Sequence, residues 1–189
     1  MLIAVHQPNF MPNFPYFVKM GIADKFVIQR CVKFSKSNYQ NFQNILGNRW
    51  CPPTVSGEID IKDKRYCTGF KLEDVNMRYI RAIAGILGIK LSGRLVYDFP
   101  SEKTKTERLI ELIKHYGGDA YIANSTAPEK YLDVPLLENN GIEFVPLKCD
   151  EQRNIIELFH YIGIQKTIEL FNRTVEKNRK EIGCKLQLS

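Results

Sequence analysis

The sequence predicts an α/β protein whose mainly parallel sheet is flanked by helices and carries a small antiparallel insertion. Three observations predict it. The chain opens on a five-residue apolar run, Met1 to Val5, which breaks at His6-Gln7-Pro8-Asn9. From Val75 onward, short β-type runs alternate with segments whose apolar residues recur at helical spacing. Between these parts, residues 34–72 interrupt the rhythm with a stretch rich in Asn, Gln, Pro and Gly.

The opening run is a strand that ends in a histidine and an amide. In open α/β sheets the carboxyl ends of strands are where ligands bind, so His6 and Gln7 are the first candidates for chemistry. Ala23 to Val27 continues as a second strand signal after the aromatic stripe Phe10, Phe14, Tyr16 and Phe17, which reads as helix-to-sheet core. In 34–72, β-type pieces near 57–61 and 66–72 suggest an antiparallel excursion or lid. Val75 to Leu87 places Val75, Tyr79, Ile80, Ile83, Ile86 and Leu87 on one helical face, and Gly88 stops it. Arg94 to Phe99 is a short strand ending at Pro100. Ser101 is a candidate N-cap for a helix over 102–116, which Gly117-Gly118 ends.

Ala120 to Ala123 is the next strand, and Asn124-Ser125-Thr126 opens a helix around Pro128 to Leu132. The turn Glu138-Asn139-Asn140-Gly141 leads into a strand over Ile142 to Leu147. Ile155 to about Lys177 is helical with a break near Gly163. Helices of this length between strands favour right-handed crossovers and a Rossmann-like sheet. One domain over 1–181 is expected, with a frayed tail at 182–189.

Composition narrows the function classes. With 44% hydrophobic and 25% charged residues the chain can bury a core, and no apolar run reaches the roughly 18–20 residues of a membrane span. No signal-peptide pattern precedes the first strand, so a cytoplasmic location is the expectation. The net charge of +6 suits a phosphorylated or nucleotide-linked ligand. It suits nucleic acid as well, the less favoured partner, and its cations are spread along the chain. The densest group, Arg173, Lys177, Arg179, Lys180 and Lys185, is the one place where such binding could sit. The five cysteines contain no CxxC pair, and the three histidines lie at no zinc-ligand spacing from them, so neither a metal site nor a disulfide framework is expected.

Five constellations carry candidate chemistry. His6 can act as acid or base, with Gln7 and Asn9 orienting a polar ligand and Pro8 and Pro12 stiffening the loop. Tyr16 would contribute a wall. The amide cluster Lys36, Asn38, Gln40, Asn41, Gln43 and Asn44 could hydrogen-bond a sugar or a peptide-like substrate. Lys103, Lys105, Thr106 and Arg108 place cations at a helix start, where they oppose the dipole unless an anion such as phosphate binds there. Ser125 and Thr126, at the later strand-to-helix junction, could cap or contact phosphate. No GxxxxGK[ST], GxGxxG or GxSxG motif is present.

On these residues the chain resembles the WbqC family. The resemblance rests on a strand into His6-Gln7-Pro8, then Pro12, Tyr16-Phe17 and Ala23-Asp24-Lys25-Phe26-Val27. It continues through Phe34-Ser35-Lys36 with Asn41 and Ile45, Lys105-Thr106-x-Arg108-Leu109, Gly118-x-x-Tyr121-Ile122, Tyr131-Leu132-Asp133 and Gly141-Ile142. The chain departs from the pattern at Arg30-Cys31, where acids are usual, and at Asn41-Phe42, where Asn-Arg is usual. It departs again at Asn124-Ser125-Thr126, where a glycine-bearing turn is usual, and it is shortened between Trp50 and Val75 and after Cys149. The resemblance implies polysaccharide or O-antigen biosynthesis and transfer of an acyl or aminoacyl group to an amino sugar. In its first strand and loop the chain is also similar to HxGH-type nucleotidyltransferases and amide-forming pantothenate synthetases, which would make an adenylate-forming ligase natural.

The expectation is therefore an amide-forming acyl- or aminoacyl-transfer enzyme acting on a nucleotide- or lipid-linked amino sugar. His6 is its catalytic candidate. Gln7, Asn9, Tyr16, Lys36 and Asn41 would bind substrate, and Lys105, Arg108, Ser125 and Thr126 would bind phosphate. The cofactor is unassigned, with ATP and magnesium fitting the adenylate route. The alternative is a non-catalytic module that binds a sugar nucleotide or a partner of the same pathway.

Overall fold

The computed structural model describes residues 1–31, 43–45, 48–50 and 72–186. Its centre is β1 (Leu2–His6), buried along Leu2 to Val5 as a strand covered on both faces must be. The loop after β1 leads into α1 (Phe14–Ile22), with Pro15 in its first turn, and α1 returns the chain to β2 (Lys25–Ile28) beside β1. After α2 (Leu72–Ile86) comes β5 (Leu95–Tyr97), parallel to β2. Helix α3 (Lys105–His115) then carries the chain to β6 (Ala120–Asn124), which lies on the other side of β1. The last strand, β7 (Glu143–Leu147), pairs with β6. As an edge strand it tolerates Pro146.

These five strands are all parallel, in the order β5-β2-β1-β6-β7. Strands are added in one direction from β1 to β5 and in the other from β6 to β7. The carboxyl ends of β1 and β6 therefore form the topological switch point, where a crevice opens. Side-chain alternation along β1 splits the core. Leu2 and Ala4 pack with α1, α2, α6 (Ile155–Ile162) and α7 (Ile164–Leu186), whereas Ile3 and Val5 pack with α3 and the short helices α4 (Ala127–Lys130) and α5 (Val134–Glu138). The α/β expectation holds.

Several element boundaries moved. α3 starts at Lys105, three residues later than expected. The Ser101 hydroxyl accepts from the Lys103 amide at 3.1 Å and closes a turn ahead of the helix, leaving Thr104 at the N-cap position. α5 follows α4 as an extra helix, capped by Asp133, whose carboxylate accepts from the Leu136 amide at 3.0 Å. A break does fall at Gly163, with φ +83°, and α7 runs to Leu186, past the point where fraying was expected. β3 (Gln43–Ile45) and β4 (Asn48–Trp50) form a separate antiparallel pair, and the β-type pieces expected near 57–61 and 66–72 lie outside the described residues except for Leu72, which opens α2.

Glycine punctuation is physical where α3 ends. Gly117 adopts φ +71°, its amide donates to the Lys114 carbonyl at 3.0 Å, and the Gly118 amide donates to the Ile113 carbonyl at 2.8 Å. This is a Schellman stop, which satisfies carbonyls the helix leaves over. Gly118 matters for packing as well. A Cβ there would lie 2.3 Å from Ile3 Cγ1 and 2.9 Å from Ile113 Cγ2, both in the core. Gly118→Ala is expected to cost about 1–3 kcal/mol through overpacking, read as a lower urea midpoint at unchanged slope.

Candidate functional site

The β1–α1 loop carries His6, Gln7 and Asn9, and neighbouring helices hold it in place. From α2, the Asn76 side-chain amide donates to the Pro8 carbonyl at 2.6 Å. From the start of α6, the Asn154 side chain donates to the Met11 carbonyl, and the Phe14 amide donates to the Arg153 carbonyl at 2.9 Å. Met11 sits at φ +40°, in the left-handed region that non-glycine residues enter only when their surroundings impose it. A phosphate-binding loop at this position uses glycines and a free helix N-terminus. Here the first turn of α1 is buried instead.

Binding space lies on the other face. A cleft of about 850 Å³ opens at the carboxyl ends of β1, β2 and β5, against the start of α3. It brings together His6, Gln7, Asn9, Lys103, Lys105 and Arg108, six of the residues singled out from the sequence. Tyr16 does not line it. That ring is buried behind His6, at 4.8 Å between centroids, and its hydroxyl donates to the Gln7 carbonyl at 3.4 Å. Ser125 and Thr126 are exposed and lie outside the cleft lining. Lys36 and Asn41 fall outside the described residues.

His6 is half in the core. Its ring stacks on Phe26 at 5.9 Å and tilts against Tyr16, and only part of it reaches the cleft. Burial holds its pKa well below 6.5, and the Lys19 charge pushes it the same way. The group is therefore a neutral imidazole at physiological pH. Its folded value lies below its unfolded one, so its contribution to stability is lost as pH falls below about 6.5.

The start of α3 divides into facing and bracing residues. Lys103 and Lys105 line the cleft, with Lys105 at φ +49°. Thr106 is buried, and its hydroxyl accepts from the Asp133 amide at 2.9 Å and donates to the Tyr131 carbonyl at 3.4 Å, fixing the segment that carries Tyr131. Arg108 borders the cleft but is already occupied. Its guanidinium pairs with Glu111 at 2.6 Å and Asp98 at 3.4 Å, donates to the Phe99 carbonyl and lies 4.7 Å over the Phe99 ring. With two carboxylates beside it, Arg108 offers a ligand less net charge than Lys103 or Lys105.

Three contributors were not foreseen. Asp98, at the end of β5, accepts from the Arg30 amide at 2.7 Å and the Cys31 amide at 3.1 Å, so one buried carboxylate ties β2, β5 and α3 together under the cleft. Cys31 is exposed in the cleft, yet burial of its thiol and the adjacent Asp98 raise its pKa, the reverse of an activated nucleophile. Tyr131 stands at the mouth, half exposed, and hydrogen-bonds Tyr121 in the floor. Among the described residues no group of three or more His, Cys, Asp or Glu could hold a metal ion.

Lys19 is the other unforeseen group. It is only 3% exposed on α1, and its Nζ donates to Asn124 Oδ1 at 3.0 Å, at the end of β6. Burial depresses its pKa from 10.5 to about 7. Each unit is worth about 1.4 kcal/mol, so the charged form carries a penalty of several kcal/mol. The folded value lies below the unfolded one, so this penalty is present below pH 7 and fades as pH rises toward 10.5. Lys19→Met is expected to stabilise the fold most at pH 6–7, with an advantage that shrinks on moving to about pH 9.5 in paired urea titrations.

A doubly wound α/β protein with a cleft at the carboxyl rim of its sheet is the class that this fold defines. The model of the WbqC-like protein family matches residues 7–56 and 60–154, and the chain belongs to that family. Membership supports a role related to polysaccharide biosynthesis and nothing finer. No curated protein and no solved structure matches the chain. No helix among the described residues is long and apolar enough to cross a membrane.

Proposed function

We propose that the chain is an amide-forming enzyme that transfers an acyl or aminoacyl group to a nucleotide- or lipid-linked amino sugar in surface polysaccharide biosynthesis. One observation carries the reading. A single cleft, with room for a sugar nucleotide, joins a neutral imidazole and two amide side chains on one wall to two lysines on the other. Amide formation needs a group that accepts the proton lost by the attacking amine, and neutral His6 is suited to that. Gln7 and Asn9 would orient the sugar, while Lys103 and Lys105 would hold phosphate, with Arg108 setting the cleft's edge. Lys36 and Asn41 stay in the proposal as sugar contacts. ATP with magnesium belongs to it as a co-substrate of the adenylate-forming route.

A binding module of the same pathway is the second reading. Arg108 is neutralised by its own carboxylates, the Cys31 thiol is held protonated, and Arg30-Cys31 stands where the family pattern expects acids. Both readings place a sugar nucleotide beside Cys31. Alkylation of Cys31, followed on its own peptide by mass spectrometry, should slow about tenfold when the ligand stands at ten times its Kd. Nucleotide-linked amino sugars should protect, and simple sugars should not. Equal alkylation with and without every sugar nucleotide would move the binding site away from this cleft.

A further inference from the structure

We infer that Tyr131 sets the specificity of the cleft: its ring takes the base of a nucleoside diphosphate whose phosphates lie on Lys103 and Lys105. The sugar would then be nucleotide-linked rather than lipid-linked. The inference deepens the proposed function and rests on the cleft at the carboxyl ends of β1, β2 and β5 being the ligand site. The residues after Tyr131 have structural work. Leu132 is buried on the α3 side of the core, and Asp133 caps α5. Tyr131 instead stands half exposed at the cleft mouth, although tyrosine is among the side chains with most area to gain from burial. On an open surface such a ring would need no explanation. This one is fixed beside the cations.

The Tyr131 amide donates to the Ala127 carbonyl at 3.0 Å, and the Tyr131 carbonyl accepts from the Thr106 hydroxyl at 3.4 Å. The same hydroxyl accepts from the Asp133 amide at 2.9 Å, so Thr106 clamps the backbone on both sides of Leu132. At its far end the Tyr131 side chain hydrogen-bonds Tyr121 in the floor. Thr106 follows Lys105 directly, so one residue joins the cationic start of α3 to the segment that carries the ring. An aromatic face held in place before the ligand arrives binds with little further loss of conformational freedom.

Chemistry then selects the ligand. Lysines meet phosphate oxygens as point charges, and a planar ring beside them suits a base, because every base has a π face. Three of the described lining residues carry rings. Tyr121 is buried in the floor, and His6 is held against Tyr16 and Phe26, so Tyr131 is the one with an open face. His6, Gln7 and Asn9 are left for the sugar. A prenyl chain needs a continuous apolar track. Among the described residues the cleft's aliphatic members, Val5 and Leu109, are both buried, and most of the remaining lining is polar.

The test is titration calorimetry on the full chain, with uridine diphosphate, adenosine diphosphate, inorganic pyrophosphate, farnesyl diphosphate and glucosamine phosphate as probes. Both nucleoside diphosphates should bind about tenfold tighter than pyrophosphate and farnesyl diphosphate, the usual worth of one base stacked on one aromatic ring. Tyr131→Ala and Tyr131→Leu should erase that advantage and leave pyrophosphate binding unchanged, whereas Tyr131→Phe, which keeps the ring, should retain it. The leucine variant also covers the case in which the alanine variant fails to fold. A nucleotide preference that is absent, or that survives loss of the ring, would overturn the assignment and leave the cleft as the ligand site. So would tightest binding of farnesyl diphosphate, or a loss in Tyr131→Ala that falls on glucosamine phosphate instead. If no diphosphate binds or slows alkylation of Cys31, the cleft reading itself fails and takes the inference with it. No acyl donor is present, so the result stands apart from whether acyl transfer occurs.

Discussion

Replacing His6 by alanine is expected to lower turnover by roughly two to four orders of magnitude, the usual contribution of a positioned acid or base. The loss should fall on kcat rather than KM, because the imidazole moves a proton in the transition state and grips little of the ground state. Packing complicates the alanine variant, since the ring fills space between Tyr16 and Phe26. His6→Gln keeps most of that volume and a hydrogen-bonding end while removing the base. If rate constants for both variants fall together and circular dichroism matches the wild type, the loss is chemical. A folded His6→Gln protein with wild-type kcat would remove His6 from the reaction.

Asp98 should dominate stability. Its side chain is 1% exposed and accepts from two backbone amides of the β2 terminus and from Arg108, itself only 10% exposed. Asp98→Ala therefore leaves two backbone amides without their acceptor and Arg108 with Glu111 as its remaining carboxylate. Removing one partner of a buried pair costs about 3–5 kcal/mol, which for a domain of this size lowers Tm by about 10 °C or more. In Arg108→Ala the Asp98 carboxylate keeps both backbone amides as donors, so that variant should cost less. A double-mutant cycle isolates the Asp98–Arg108 term, and additive losses would show that the backbone amides, not the arginine, need the carboxylate. Alkylation of Cys31 should also quicken in Asp98→Ala, because the β2 end loses its anchor.

The parallel sheet was legible because its signals are local. An apolar run broken by His6-Gln7-Pro8, glycine stops at 88 and 117–118, and strands spaced by amphipathic helices each report on a few consecutive residues. Half of the candidate site was legible for the same reason, since the carboxyl end of a strand is where ligands bind in open α/β sheets. Asp98 was not, because a carboxylate between Tyr97 and Phe99 reads as a turn residue until β2 and α3 are brought to it. Nor was the split at α3, where Lys105 faces the cleft while Thr106 and Arg108 brace it. That depends on where the helix starts, and the Ser101 turn shifted the start by three residues. Lys19 did leave a signal, a lone charge within the otherwise apolar Phe14 to Ile22 segment.

Tyr16 shows the opposite failure. Its place next to the histidine loop suggested a wall of the site, but a helical residue one turn into α1 points back onto the sheet, and the ring became core. The helix start at Lys105 likewise drew attention to Arg108, whose charge is absorbed internally. Lys103 and Lys105, which line the cleft, are the cations proposed to meet a phosphate.

The most direct test of the central claim is a mass-spectrometric turnover assay on the purified protein. It would contain ATP, magnesium, pooled amino acids, acyl-CoA donors and a panel of nucleotide-linked amino sugars, with His6→Gln as the control. The proposed chemistry predicts that one sugar nucleotide gains an acyl or aminoacyl mass only when His6 is intact, with AMP appearing if the route passes through an adenylate. Protection of Cys31 by a sugar nucleotide whose mass never changes under any of these conditions would contradict it and leave the cleft as a binding module.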